Sequence, residues 1–263
     1  MKKIFLTGAS SGIGRAMAEN LCAQGHEVWG TSRDPSRLPS LGRFHPVRLD
    51  LADLAGMRAA FDNSWREAGH FDVLINNAGG GHFDAAELLT PEKVEDLFRT
   101  LVFAHIELCR LALLAMSTRQ SGLIINVTSL ASRLPVPYMA AYNAAKAAMA
   151  SYTFSLQLEL RDCGVQVIDL QPADICTNFN DTITPNPPGD ARVAKAWAVA
   201  NRNMQKAPPP QLVAQRVLRL IESSHPPPRH TVGDLFQSRI APLIFRFLPQ
   251  RVRIWGLKQY YGI

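Results

Sequence analysis

Short apolar runs alternate with stretches of helical periodicity through most of the chain. Residues 2–7 read as a strand, followed by a glycine-rich turn and a helical pattern through Gln24 that closes at Gly25. Residues 26–33 predict a second strand and residues 44–49 a short third one. Residues 53–69 have helical spacing, with Leu54, Met57, Phe61 and Trp65 facing inward. A fourth strand is expected at 71–75, ending in Asn76-Asn77-Ala78-Gly79. Residues 91–118 read as one long helix or two consecutive ones behind a Thr90-Pro91 start. Strand 122–127, helix 138–162 and strand 165–170 follow. Residues 178–209 are polar and broken by prolines, with a helical piece around 191–204. A helix at 211–223 and a last short strand at 231–233 complete the pattern. Strands alternating with helices predict an α/β fold with a parallel sheet, whose ligands sit at the carboxyl ends of the strands.

The end of the chain departs from this pattern. Residues 236–263 alternate bulky apolar and basic side chains, with breaks at Pro242 and Pro249. We therefore expect one domain over 1–235, with a substrate lid over about 178–209, and a basic, apolar tail over 236–263. The tail admits two readings. It can lie on an anionic membrane surface as a basic amphipathic element. It can equally pack its apolar face on the sheet or on a neighbouring subunit.

Composition narrows the picture. The 263 residues suffice for one large core. No apolar stretch is expected to approach the roughly 18 residues that span a bilayer. The N-terminus is basic, then apolar, but its apolar run is too short for a signal peptide and leads straight into the glycine turn. Cys22, Cys109, Cys163 and Cys176 are scattered with no CxxC, which predicts reduced thiols in a cytoplasmic protein. No metal ligand set is expected. The net charge of +6 is concentrated late in the chain, where Arg229, Arg239, Arg246, Arg251, Arg253 and Lys258 face Asp234 alone. That distribution argues against a nucleic-acid partner.

Candidate chemistry clusters at the predicted strand ends. The apolar run 124–127 ends in Thr128 and Ser129, and a loop with Pro135 and Pro137 leads to Tyr142 and Lys146 on one helix face. A free Tyr has a pKa near ~10, and a nearby cation lowers it. With Ser129 holding a carbonyl oxygen beside the phenol, this is a proton-transfer site. Tyr and Lys at this spacing are also what a packed ring with a solvated amine looks like. Gly8, Ser10, Ser11, Gly12, Ile13 and Gly14 lie between a strand and a helix N-terminus, the arrangement of a phosphate cradle. The second strand ends in Ser32-Arg33, and an Arg there suits a 2′-phosphate, favouring NADP(H) over NAD(H). Asp34 follows directly and complicates that reading, as does a solvated role for Arg33.

Taken together, these residues resemble the short-chain dehydrogenase/reductase family. The matches are Thr7 to Gly14 (TGxxxGxG), Asp50, Asn76 to Gly79 (NNAG), Ser129, Tyr142 to Lys146 (YxxxK), and Pro172 to Thr177 for the family's PGxxxT. The resemblance implies a three-layer Rossmann fold, with a seven-stranded sheet flanked by helices. It implies hydride transfer between a nicotinamide and a small-molecule carbonyl or alcohol, and a homodimer or homotetramer built through the two long helices. By the same resemblance Tyr142 is the general acid in reduction, Lys146 lowers its pKa and holds the nicotinamide ribose, and Ser129 orients the substrate oxygen. Gly8, Ser10, Ser11, Ile13 and Gly14 line the pyrophosphate, and Asp50 and Leu51 frame the adenine. Asn77, Ala78 and Gly79 meet the adjacent ribose, while Pro172, Ile175 and Thr177 hold the carboxamide. Substrate binds between three loops of the family, which here supply Phe83, Leu134, Tyr138 and Phe179 among others. That mostly apolar lining suits a bulky lipophilic substrate such as a steroid, retinoid or acyl-chain ketone.

One departure bears on mechanism. Leu101 stands where the family usually has an Asn that interrupts the helix and frees a carbonyl for a water behind Lys146. Leu favours unbroken helix, so that relay is expected to be disturbed. His105, one turn along, reads as a packed or surface residue rather than a substitute relay. Leu101 is also the sole support for a second reading, a weakly catalytic or non-catalytic NADP(H)-binding sensor or scaffold.

Overall fold

The computed structural model describes residues 1–160, 163–179, 183, 185–186 and 190–263. Seven parallel strands form the main sheet in the order β3-β2-β1-β4-β6-β7-β9. These are β1 (Lys3–Leu6), β2 (Glu27–Ser32), β3 (Phe44–Arg48), β4 (Val73–Asn76), β6 (Gly122–Val127), β7 (Val165–Pro172) and β9 (Arg229–Val232). The register sets Ile4 of β1 beside Val28 on one side and Val73 on the other. A second, two-stranded sheet pairs β5 (Phe83–Asp84) with β8 (Pro185–Asn186).

Side-chain alternation divides the core into two layers. Ile4 and Leu6 face one side, where they pack with Leu21 of α1 (Gly12–Ala23) and Val217 of α7 (Gln211–Glu222). Phe5 faces the other, against Phe61 of α2 (Leu54–Ala68) and Leu108 of α4 (Ala104–Thr118). Both faces are apolar because helices cover both, as a parallel sheet requires. The α/β three-layer fold expected from the sequence is the fold observed.

Local differences have identifiable causes. The long helix predicted over 91–118 consists of α3 (Pro91–Phe98), a π-helical turn over Arg99–Phe103, and α4. As a single run, Pro91–Thr118 is long and apolar enough to cross a membrane by length and composition, which corrects the expectation that no stretch approaches that length. Its apolar face packs inside the molecule, with Leu97, Leu101, Leu108, Ala112 and Met116 buried. Helix α5 (Ala140–Glu159) starts two residues later than predicted because Tyr138 adopts φ +62° and leaves the helical path. Its carbonyl instead accepts a 2.8 Å bond from the Asp84 N–H. The helix end expected at 162 lies outside the described residues, as do 180–182, 184 and 187–189 of the expected lid. The described remainder of that lid is dominated by α6 (Ala191–Lys206). The tail folds as a π-helical turn over Phe236–Ile240, α8 (Ala241–Phe247) and α9 (Gln250–Tyr261).

Candidate active site

The glycine turn after β1 is held by backbone contacts that leave no room for side chains. Gly8 has φ +72°, and a Cβ there would lie 2.8 Å from Ala78 Cα. A Cβ on Gly14 would lie 1.9 Å from the Gly8 carbonyl oxygen. Thr7 Oγ1 accepts from the N–H groups of Asn77 (2.9 Å) and Ala78 (3.0 Å). The Asn77 amide donates to the carbonyls of Thr7 (3.0 Å) and Gly8 (3.3 Å), locking the turn to the end of β4. At the start of α1, the N-cap Ser11 makes no side-chain cap bond, so its oxygen leaves the first-turn N–H donors unused. Ser10, Ser11, Ile13 and Gly14 line one large cavity of about 960 Å³ at this helix end. Such a cradle fits a dinucleotide's pyrophosphate.

The cavity continues to the end of β2. There Arg33 is exposed and lines it, joined by Arg37, which the sequence reading did not single out. The signal available for Arg37 was its place one turn after Arg33, in the 3₁₀ turn Pro35–Arg37. Asp34 lines the cavity too, with one of its two carboxylate oxygens engaged locally. Its carboxylate accepts from Ser36 N (3.0 Å) and Ser36 Oγ (2.7 Å), and these bonds hold its pKa below the usual carboxylate value. Asp50 and Leu51 line the same end, with Asp50 Oδ1 accepting from the Ala52 N–H at 3.0 Å.

Ser129, Tyr142 and Lys146 meet at the other end. Ser129 caps the 3₁₀ turn Leu130–Ser132 at the end of β6, accepting from the Ala131 N–H at 3.0 Å. Its side chain lies close enough to the Tyr142 phenol to pull that group's pKa down. Lys146, one turn after Tyr142 on α5, is buried and donates to the Val127 carbonyl at 2.9 Å. Its Nζ lies 5.8 Å from the centre of the Tyr142 ring. Burial pulls the Lys146 pKa down to about 8, against a smaller upward pull from the Asp169 charge.

The phenol departs from expectation. Its pKa is pushed up to about 12, because burial outweighs the lowering by the nearby Ser129 and Asp174 adds unfavourable negative charge. The expected lowering by Lys146 is not found; the ammonium is turned to Val127 O instead. Tyr142 is therefore a protonated phenol at neutral pH, ready to donate rather than to accept.

Behind Lys146 the helix is interrupted at Leu101 after all, within the π-helical turn. Leu101 is fully buried against Ala145 and Met149 of α5, so tertiary packing overrides its preference for regular helix. The His105 ring packs close to its carbonyl, and His105 Nε2 has no hydrogen-bond partner among the described residues. His105 is packed, 2% exposed, and burial lowers its pKa to about 3, which keeps it neutral. Nearby, Asn76 donates to Asn126 (2.9 Å) and Asn126 to Thr153 (2.9 Å), a buried strut joining β4, β6 and α5.

Ala78, Gly79, Pro172, Ile175 and Thr177 all line the cavity between its two ends. Of the expected substrate residues, Phe83, Leu134 and Phe179 line it as well. Tyr138 does not; it packs on Phe83 with ring centres 5.8 Å apart. The wall also contains Ile244, Phe245, Leu257 and Tyr260 from the tail, which sequence reasoning did not place there. Long-range pairs hold the tail in position. Gln237 Nε2 donates to Asp174 Oδ2 (2.6 Å), and the Tyr260 hydroxyl accepts from Asn203 Nδ2 (3.0 Å).

Known proteins resemble this chain in sequence and fold. The chain matches the short chain dehydrogenase family over residues 2–188. It is 31% identical over 266 aligned residues to a 3-ketodihydrosphingosine reductase of Bacteroides thetaiotaomicron, covering 99% of this chain and 98% of the relative. A short-chain dehydrogenase from Streptomyces avermitilis superposes with a TM-score of 0.80 at 28% identity, covering 99% of this chain and 97% of that one. A 3-ketoacyl-(acyl-carrier-protein) reductase from Brucella melitensis, complexed with NADH, gives 0.75 at 25% identity over 88% of this chain and 95% of its own. With a match across so much of its length, this chain belongs to the short-chain dehydrogenase/reductase family of oxidoreductases.

Proposed function

We propose that this protein is an NADP(H)-dependent reductase of a bulky, lipophilic ketone, with an acyl-chain ketone as the favoured class. The observation that carries the proposal is the single cavity that joins Ser129, Tyr142 and Lys146 to the glycine turn and Arg33. When bound, the nicotinamide supplies a hydride to the carbonyl carbon. Ser129 and Tyr142 hold the carbonyl oxygen, and the Tyr142 hydroxyl gives that oxygen its proton, so ketone becomes alcohol. The protonated phenol favours donation in this direction. Lys146 lies one helical turn behind and is placed to offset the charge left on the phenolate.

Arg33 and Arg37 support NADP(H) over NAD(H), since both can pair with a 2′-phosphate and Ser36 engages Oδ1 of the neighbouring Asp34. The apolar wall of Phe83, Leu134 and Phe179 supports a lipophilic substrate. The likeness to a 3-ketodihydrosphingosine reductase favours a long acyl chain over a steroid or retinoid. The exposed Phe103 and Leu114 of the α4 region and Phe154 and Leu158 of α5 support a homodimer through these long helices. The free thiols suit a reducing, cytoplasmic setting. A sensor without turnover rested on Leu101 alone, and the intact Ser129–Tyr142 contact supports turnover instead.

The test is NADPH consumption with a series of 3-oxo compounds of increasing chain length. We expect turnover that improves with chain length and prefers NADPH to NADH. Absence of turnover of ketones with NADPH and of the matching alcohols with NADP⁺, both cofactors being bound, would leave the sensor reading in its place.

A further inference from the structure

Large apolar side chains left exposed are concentrated at the end of the chain. Of the seventeen such residues, eleven lie between Leu235 and Ile263; Phe236, Ile244 and Tyr260 border the cavity, and the other eight make this segment the main apolar surface among the described residues. Leu243, Phe247 and Trp255 are 61%, 75% and 64% exposed. The same segment holds Arg239, Arg246, Arg251, Arg253 and Lys258 and no acidic residue. None of these cations forms an ion pair among the described residues.

The helices are two-faced. The inner face of the tail lines the substrate cavity through Ile244, Phe245, Leu257 and Tyr260. The outer face of α9 carries Arg251, Val252, Ile254, Trp255 and Lys258, all exposed. Aromatic and aliphatic side chains mixed with cations of one sign suit the interface of a bilayer. They do not suit a second copy of the same face. In a twofold contact a patch meets itself, and here that would set cation against cation.

We propose that residues 235–263 dock on an anionic phospholipid bilayer and hold the substrate cleft against it. A ketone dissolved in that bilayer then reaches Tyr142 past the inner face of the tail. The lipid-borne ketone rests on the reductase reading above; the docking does not. The Gln237–Asp174 and Tyr260–Asn203 bonds tie the docked segment to the strand end beside the active site and to α6. Docking therefore fixes the cleft relative to the surface.

Flotation of the full chain with vesicles tests the docking without any activity readout. The vesicles are phosphatidylcholine alone, or phosphatidylcholine with one third phosphatidylglycerol. The chain should float with the anionic vesicles at low salt, dissociate at high salt, and stay below with the neutral ones. The double variant Arg246→Glu/Arg251→Glu should bind at least ~25-fold more weakly, because each cation near such a surface is worth a factor of about five. Phe247→Ser/Trp255→Ser should also lower binding, with charge unchanged. These side chains are exposed and lie outside the cavity wall, so NADPH binding and thermal unfolding serve as controls for folding. An intact chain that stays below with anionic vesicles at low salt overturns the proposal, as does equal flotation with neutral vesicles. If, in addition, the Phe247→Ser/Trp255→Ser variant breaks up a soluble oligomer, a second copy covers this face instead. Failure of the reductase reading would show separately, as flotation without ketone turnover.

Discussion

The two ends of the cavity are built on different principles. At the nucleotide end the contacts are close and directional: a Cβ on Gly8 or Gly14 would collide with Ala78 or with the Gly8 carbonyl, and the Thr7 and Asn77 side chains bond the facing backbone. At the substrate end, side chains from distant segments pack against one another, with Phe83, Phe179 and the tail converging from three parts of the chain. The first kind of site specifies one ligand shape and tolerates little change. The second can be re-cut by single substitutions, because apolar contacts are non-directional and adjust by small shifts. A fixed cofactor grip beside an adjustable pocket is what allows one fold to serve many carbonyl substrates.

The sharpest way to break this contrast is Gly14→Ala. The new methyl would overlap the Gly8 carbonyl, so NADPH binding should be lost together with ~1–3 kcal/mol of stability. Calorimetric titration and thermal unfolding measure both. Arg33→Ala comes next: NADPH affinity should fall about 10–100-fold, the worth of hydrogen bonds to a charged group, while NADH affinity changes little. At the other end, Phe179→Ala should raise KM for a long-chain ketone by roughly tenfold and leave a short-chain ketone and both cofactors nearly unaffected. Equal losses for long and short substrates would erase the distinction between the two ends.

A further effect concerns Lys146, at the junction. Its folded pKa of about 8 lies below its ordinary 10.5, so between those values the unfolded chain binds more protons than the folded one. Its burial cost is fully present below about pH 8 and is relieved as pH rises towards 10.5. Relative to Lys146→Met, the wild type should therefore gain stability from pH 8 to 10, by at most ~1.4 kcal/mol per pH unit. Denaturant titrations of both proteins across that range would show it; a parallel pair of curves would mean the ammonium is not desolvated.

The contrast also explains what the sequence made legible. The glycine turn, Asn76 to Gly79 and Ser129 are short-range patterns that fall at strand ends as read, and Tyr142 and Lys146 lie one turn apart on α5 as their spacing predicts. The left-handed Tyr138 and the π-helical turn at Leu101 were not legible, because packing against distant elements sets them. The tail's place in the cavity wall was hidden for the same reason: its anchors join Gln237 to Asp174 and Tyr260 to Asn203. The phenol's raised pKa follows from burial, and spacing alone carries no information about burial.

The central claim is that Tyr142 protonates a ketone that receives hydride from NADPH in this cavity. Its most direct measurement uses NADPH deuterated at the nicotinamide C4 hydride position and a long-chain 3-oxo substrate, with wild type and Tyr142→Phe compared by mass spectrometry. The account predicts that wild-type product carries the label on the former carbonyl carbon. It predicts that Tyr142→Phe binds NADPH as before while its kcat falls by ~10²–10⁴. Unlabelled product from the wild type, or an undiminished kcat in Tyr142→Phe, would contradict it.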